Sequence, residues 1–320
     1  VHTPGLTPAH YPMVGRHLLA AIQQVLGEAA TPPLLAAWDE AYWLLAGALI
    51  AAEARLSERT GVSSGALRSL RVMEVRHESE TTTSYYLQTL AGQSPGPFKP
   101  GQYLTVAIEP AGSGTRQLRQ YSLSDSPNRP WWRITVKREA ACGDVPAGQV
   151  SNWLNAHLQQ GDLLQAGAAA FGDFVPDLQG RHPIVLLSAG VGITPMVSVL
   201  NSLLETNPRR PVVFAHAARN GRHHALRADL AAARQVHPSL REVVFYESPL
   251  EQDRLGIDYH QVGRMNLAQV LKEPDHDAEF FLCGPIGFMQ HQWQSLIARG
   301  VSPTRIHREV FGPDLLDHLI

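Results

Sequence analysis

The spacing of apolar residues along this chain changes character twice, and each change marks a different architecture. Near the start, Leu18, Leu19, Ile22, Val25 and Leu26 recur at helical intervals. Pro32 and Pro33 interrupt them, and an Ala- and Leu-rich stretch from about Leu34 to Leu56 predicts a second helix. Two helices this apolar cannot cover all their faces against each other alone. With Val1 as the first residue, the chain therefore reads as a fragment of a longer one, with further helices expected upstream. The polar stretch SERTGVSSGA at 57–66 predicts a linker.

From Leu67 the period becomes two. LRSLRVMEVRHE, TSYYLQTL, QYLTVAIEP, LRQYSLS and WWRITVKRE are short alternating runs between turn residues. Successive strands with no helix until about 150 predict an antiparallel barrel or sandwich. After Gly180 the pattern changes again. Apolar strands such as HPIVLLSAG, PVVFAHA, LREVVFYE and AEFFLCGP alternate with helical stretches, which predicts a parallel doubly wound sheet. The expected fold is multidomain, with helices at 1–60, a barrel at 67–177 and an α/β domain at 181–320.

Composition narrows the function classes. The chain has 320 residues and a formal net charge of −2, so no overall basic field favours nucleic acid. The two cysteines, Cys142 and Cys283, build no disulfide framework and no zinc spacing, which suits a reducing cytoplasm. The longest apolar run, LLAGALIAA at 44–52, is too short to span a bilayer. The fifteen histidines form no metal-ligating set, and the adjacent His223 and His224 point in different directions on a helix.

Several loops carry candidate chemistry. SAGVGITPM at 188–196 follows an apolar strand and opens a helix. Gly190 and Gly192 allow close backbone approach, with Thr194 expected as N-cap and Pro195 as the first helical residue. Such a helix start suits a pyrophosphate, although a plain tight turn would look the same. CGPIGF at 283–288 repeats the arrangement after a later strand. Cys283 reads as a small buried residue or as a neighbour of a ligand, without a nucleophilic role. In LRQYSLSDSP, alternation puts Arg119 and Tyr121 on one strand face, with Ser122 beside the turn. A ligand with phosphates, a flat ring and a ring nitrogen would use all three. GQVSNWL at 148–154 adds a second helix start, with Ser151 and Asn152 expected as caps. Arg219, Arg222 and Arg227 follow the second strand of the parallel sheet; they would pair a 2′-phosphate or form a solvated face. The solvated face, and NADH with it, is the expectation.

The order FKPGQYL, RQYSLSD, GQVSNWL, GDF, SAGVGITPM, FLCGPIGFM, EVFGP resembles the ferredoxin-reductase-like flavoproteins, and within them the bacterial flavohaemoglobins. TPAHYPMVGRHLLAAIQQVLG and AWDEAYWLLAGALIAAEARL are similar to the last helices of that family's globin domain. The resemblance implies FAD on the barrel, held by Tyr103, Arg119, Gln120, Tyr121, Ser122 and the segment Gly148, Gln149, Val150, Ser151. It implies NADH or NADPH held by Gly190, Val191, Gly192, Ile193, Thr194 and Pro195, with Cys283, Gly284 and Pro285 near the nicotinamide. Val310, Phe311, Gly312 and Pro313 would return the chain to the flavin. Ser122 would act near flavin N5, and Glu309 would sit between flavin and haem. Tyr11 and Glu53 match the pair that orients the family's proximal histidine. Counting back from Tyr11 reaches Val1, with His2 one place out of register. The resemblance therefore implies haem b in the parent protein and none held by this chain, which leaves Tyr11 and Glu53 as helix residues at a frayed surface.

The implied activity is nitric oxide dioxygenation, NO to nitrate, with O2 and NO as further small-molecule partners, in a cytoplasmic monomer. This chain alone would be an NADH-oxidising flavin reductase. A stand-alone reductase serving an oxygenase, or a non-catalytic nucleotide-binding remnant, are the alternatives; the first would need clustered cysteines for an iron–sulfur domain. Arg308 departs from the family, which places an aromatic residue there, and GAAAFGDF lacks a proline common in that loop.

Overall fold

The computed structural model describes residues 7–63, 65–110, 114–271 and 277–311. The chain forms two compact units, one of the N-terminal helices up to Arg68 with Gln165–Ala169, the other of Ser69–Leu164 and the chain from Ala170 onward.

In the first unit, α1 (Tyr11–Leu26) and α2 (Pro32–Thr60) are the two expected helices. Gly27 and Gly61 follow them, where helices commonly end. α2 runs four residues into the expected linker. Tyr42, Ala46, Leu49 and Ile50 recur on one face of α2 and pack with Tyr11. Val25, Leu44 and Leu45 remain exposed. By length and composition, Pro32–Glu58 is apolar enough to cross a membrane, which the 44–52 run alone did not suggest. The weak amphipathic pattern of α2 follows from this: both sides are apolar, and only one is covered.

After α2 the chain forms β1 (Leu67–Ser79), β2 (Thr82–Gln88), β3 (Tyr103–Ile108), β4 (Gln117–Ser122) and β5 (Trp132–Lys137). Then come α3 (Gln149–His157) and β6 (Leu163–Gly167). These strands form a six-stranded sheet in the order β4-β3-β6-β1-β2-β5, with β1–β2, β2–β5 and β3–β4 antiparallel. An antiparallel bridge between Leu123 and Ile134 joins the two edges and closes the barrel. β6 was not legible, because LLQAG is a short strand that lacks a clear alternation.

The remainder is β7 (Ile184–Ala189), α4 (Ile193–Thr206), β8 (Val212–Ala218), α5 (Arg227–Val236), β9 (Leu240–Tyr246), β10 (Gln261–Val262), α6 (Leu267–Val270), β11 (Glu279–Cys283), α7 (Ile286–Ala298) and β12 (Ile306–Glu309). All six strands are parallel, ordered β10-β9-β8-β7-β11-β12. Alternation assigns the faces. Ile184, Leu186, Phe281 and Cys283 pack with Ile193, Leu200 and Leu230 of α4 and α5. Val185, Leu187, Phe280 and Leu282 pack with Leu267, Val270 and Leu296 of α6 and α7. Each such fully buried side chain contributes about 1.5–3 kcal/mol. The chain leaves β7 toward β8 on one side and returns to β11 on the other, so strand order reverses between β7 and β11. Ligands of open parallel sheets bind at this kind of reversal, beyond the carboxyl ends of the strands.

One core position carries a pH prediction. His216 on β8 is fully buried, its Nδ1 2.9 Å from Ser188 Oγ, and its Nε2 has no hydrogen-bond partner among the described residues. Burial pulls its pKa from 6.5 down to about 3. The unfolded chain gains a proton near pH 6.5 that the native state refuses. The stability from neutral His216 is therefore complete above that pH and is lost as pH falls toward 3. Urea unfolding at pH 7.5 and pH 5 should show this loss, and a smaller one in His216→Gln; an equal loss in both would refute it.

Candidate active site

The two glycine loops meet at the strand-order reversal. After β7, Gly190–Gly192 form a 3-10 turn that runs straight into α4. The helix thus begins at Ile193 with Gly192 as its N-cap, earlier than expected. Thr194 is inside the first turn, its Oγ1 donating to the Val191 carbonyl at 3.0 Å, and Pro195 is the third helical residue. Gly192 faces the loop after β11 so closely that an added Cβ would lie 2.2 Å from the Cys283 carbonyl oxygen. Gly190 has a left-handed φ of +54°, and a Cβ there would meet nothing within 4 Å.

A cavity of about 670 Å³ opens over these loops. Gly190, Val191 and Pro285 form part of its wall, together with Ala217 and Ala218 at the end of β8, Arg219 just after it and Glu247 after β9. Thr81 and Thr82, at the β1–β2 turn, and Lys137 at the end of β5 reach it from the barrel. Ile193, Thr194, Pro195 and Cys283 are buried and do not form its wall; Gly284 is half-buried. Burial pushes the Cys283 thiol well up, and Glu309 adds to this, so Cys283 is held as a neutral thiol.

On the barrel, β3 and β4 pair Tyr103 with Ser122, Leu104 with Tyr121 and Val106 with Arg119. Arg119 is exposed, donates to the Leu118 carbonyl at 2.7 Å, and has no carboxylate in a salt bridge among the described residues. Burial, then the Glu309 and Asp173 carboxylates, push the Tyr103 hydroxyl pKa up, and Gln120 acts against them. Tyr121 is half-buried, and burial drives its pKa far up. Gly148, not Ser151 or Asn152, is the N-cap of α3. Ser151 Oγ and Asn152 Nδ2 lie one turn in and donate back to the Gly148 carbonyl at 3.3 and 2.7 Å. Their oxygens are thus not used as caps, and the first N–H groups of the helix stay available to an anion.

Glu309 links the two halves. It pairs in register with Cys283, and its charge acts on both Cys283 and Tyr103. Burial, then the Asp173 carboxylate, push its pKa up to about 7. Arg308, next in alternation, stacks over the Trp293 ring at 4.1 Å on α7, so packing there is kept by a cation–π contact. Val310 and Phe311 follow; Gly312 and Pro313 lie outside the described residues.

The raised Glu309 carboxyl keeps its proton in the native state between about pH 4.5 and 7. Its stabilising effect is complete below 4.5 and is lost as pH rises through 7. In Glu309→Gln that pH dependence should disappear from urea unfolding curves between pH 5 and 8. An unchanged slope would remove Glu309 from the set of groups that titrate there.

A network that sequence reasoning missed joins the barrel to the α/β part. Arg133 on β5, 2% exposed, donates to both Asp229 oxygens at 2.8 and 3.1 Å and approaches Asp125 at 4.0 Å. Asn201 on α4 donates to Asp125 and Asp229, both at 2.9 Å. Ser198 donates to the Asp125 carbonyl at 2.7 Å. Burial alone would lower the Arg133 pKa, but Asp229 and Asp125 hold it above the ordinary value. The available signal was an arginine inside the apolar run WWRITV, which demands a buried carboxylate.

In the N-terminal unit, Tyr11 and Glu53 are not frayed surface residues. They are 6% and 5% exposed, with the Tyr11 hydroxyl donating to Glu53 Oε1 at 3.3 Å and Tyr42 donating to the Tyr11 carbonyl at 2.6 Å. Glu53 Oε2 is buried with no hydrogen-bond partner among the described residues.

The oxidoreductase NAD-binding domain model matches residues 186–294, the strands and loops around the cavity. A flavohemoprotein of Chromobacterium violaceum is 46% identical over 314 residues, covering 96% of this chain and 77% of the relative. One of Rhizobium meliloti is 44% identical over 318 residues, covering 97% and 77%. The chain belongs to the flavohemoprotein family. It is an oxidoreductase with the fold of a flavohemoglobin: a Malassezia yamatoensis flavohemoglobin, solved with bound FAD and heme, aligns with TM-score 0.78 at 26% identity. That alignment covers 96% of this chain and 76% of the other, and so takes in the helical unit. The FAD/NAD-binding domain of a Vibrio cholerae nitric oxide dioxygenase covers 77% of this chain and 99% of its own, with TM-score 0.69 and 37% identity. Because the flavohemoprotein matches extend over the N-terminal helices, a stand-alone oxygenase reductase is not favoured.

Proposed function

We propose that this chain carries the electron-supplying machinery of a nitric oxide dioxygenase, taking reducing equivalents from NADH or NADPH through FAD toward a haem. The observation that carries this is the cavity at the β7–β11 reversal, with a wall formed by both glycine loops and by barrel residues Thr81, Thr82 and Lys137. The residues fit both nucleotides. Arg119, with no carboxylate salt bridge among the described residues, and the N-terminus of α3 at Gly148–Ser151 suit the FAD diphosphate. Tyr103 and Tyr121 offer ring faces, and Gly190 leaves the space a side chain would fill. Bound FAD would supply the hydride acceptor. Ser122, 5% exposed, is held by the β3–β4 pairing and would hydrogen-bond the flavin at N5. Glu309 would hold or release a proton near neutrality beside Tyr103. The barrel and α/β walls would keep water from the transfer path.

The haem side fits in part. The Tyr11–Glu53 pair, with a buried oxygen that has no partner among the described residues, suits a group that orients an iron-bound histidine. His2 lies outside the described residues. We place the protein in the cytoplasm, as a monomer, where free Cys142 and Cys283 stay reduced. The test is steady-state reduction of ferricyanide by NADH with FAD-loaded protein. FAD-dependent turnover is expected; nucleotide binding without turnover would favour a non-catalytic remnant.

A further inference from the structure

The cavity wall beyond β8 bears on which dinucleotide enters. In doubly wound sheets an acidic residue near the end of the second strand accepts a hydrogen bond from the ribose 2′-hydroxyl, whereas an arginine there accommodates a 2′-phosphate. The second strand here is β8, and no acidic residue occurs from Val212 to Ala228. Asp229, the next one, is held by Arg133. The first residue after β8 is Arg219, on the cavity wall.

The structure separates the arginines of this segment. Arg222 pairs with Glu80 at 3.3 Å, and Arg227 pairs with Asp258. Arg219 is exposed and has no carboxylate partner in a salt bridge among the described residues. Its backbone is fixed, because Ser248 N donates to its carbonyl at 2.8 Å. Glu247, the one acid that lines the wall among the described residues, is paired with Arg264 at 3.3 Å, and Lys137 adds a further cation to the same wall. Local charge around Arg219 is therefore net positive, where an unphosphorylated ribose would need an acceptor.

We propose that Arg219 binds the 2′-phosphate of NADPH and makes NADPH the preferred dinucleotide of this chain. This rests on the cavity being the dinucleotide seat. A guanidinium–phosphate contact is charge-assisted and bidentate-capable, which gives it selectivity over a neutral hydroxyl.

The probes are adenosine 2′,5′-bisphosphate and 5′-AMP, titrated calorimetrically into the FAD-loaded full chain. The bisphosphate should bind at least about tenfold more tightly than AMP. Arg219→Gln should remove most of that difference, and Arg222→Gln should keep it. In parallel, the NADPH-to-NADH ratio of kcat/KM should fall by a similar factor in Arg219→Gln. Equal binding of the two probes to wild-type protein would overturn the proposal. So would an Arg219→Gln variant that weakens both alike, which would assign Arg219 to the 5′-phosphate. Binding of neither probe would overturn the dinucleotide seat itself, and this proposal with it.

Discussion

Replacing Arg133 by methionine is expected to remove about 3–5 kcal/mol of folding stability, among the largest single-site losses in the molecule. The guanidinium is 3% exposed and bridges Asp229 and Asp125, at 11% and 8%. Without it, two buried carboxylates face each other with only Asn201 and local donors between them. Asp125 now has a lowered pKa, held down against burial chiefly by Arg133. In the variant that pKa should rise, and part of the loss should be relieved at low pH. Converting the whole set, Arg133→Met with Asp125→Asn and Asp229→Leu, should recover much of the stability, because an apolar replacement of a buried ionic group is often neutral. Urea unfolding measures both. A loss below about 1 kcal/mol in Arg133→Met would mean that water already screens the network.

Gly192→Ala is the second large effect. Its Cβ would stand 2.2 Å from the Cys283 carbonyl oxygen, 2.4 Å from the carbonyl carbon and 2.7 Å from Gly284 N. All three are backbone atoms, so no rotamer change relieves the clash. The loops must separate, which distorts the cavity and costs a few kcal/mol through overpacking, on the order of 1–3. Dinucleotide affinity should drop at least about tenfold, as a misplaced binding loop implies. Gly190→Ala makes the contrast. Nothing lies within 4 Å of its added Cβ, but φ is +54°. It should lose about 1–2 kcal/mol from backbone strain alone, with a methyl group projecting into the cavity. Thermal unfolding alongside dinucleotide titration separates the two. Equal, small effects from both substitutions would deny that the loops are in contact.

The class of fold was readable because period and punctuation agreed along most of the chain. VLLSAG followed by a helix, and FFLCGP followed by another, marked two strand ends, and the structure places those strands side by side. The local caps were less legible. Thr194 and Ser151 carry the side chains of good N-caps, yet a preceding 3-10 turn in one case and Gly148 in the other start the helices earlier. The Arg133 network was hidden because its members lie on a barrel strand, a turn and two helices, and no sequence spacing relates them. Tyr11 and Glu53, 42 positions apart, were matched only by resemblance; their hydrogen bond is a product of how α1 packs on α2. The fate of each arginine after β8 also needed coordinates, since the partners Glu80 and Asp258 come from distant loops.

The most direct test of the central claim, that flavin and nicotinamide seats share one junction, is an anaerobic titration of FAD-loaded protein with NADPH and NADH, followed by flavin absorbance. Stoichiometric bleaching of the flavin band is expected, slowed in Ser122→Ala and nearly absent in Gly192→Ala. Oxidised flavin that persists while the nucleotide is demonstrably bound would contradict it.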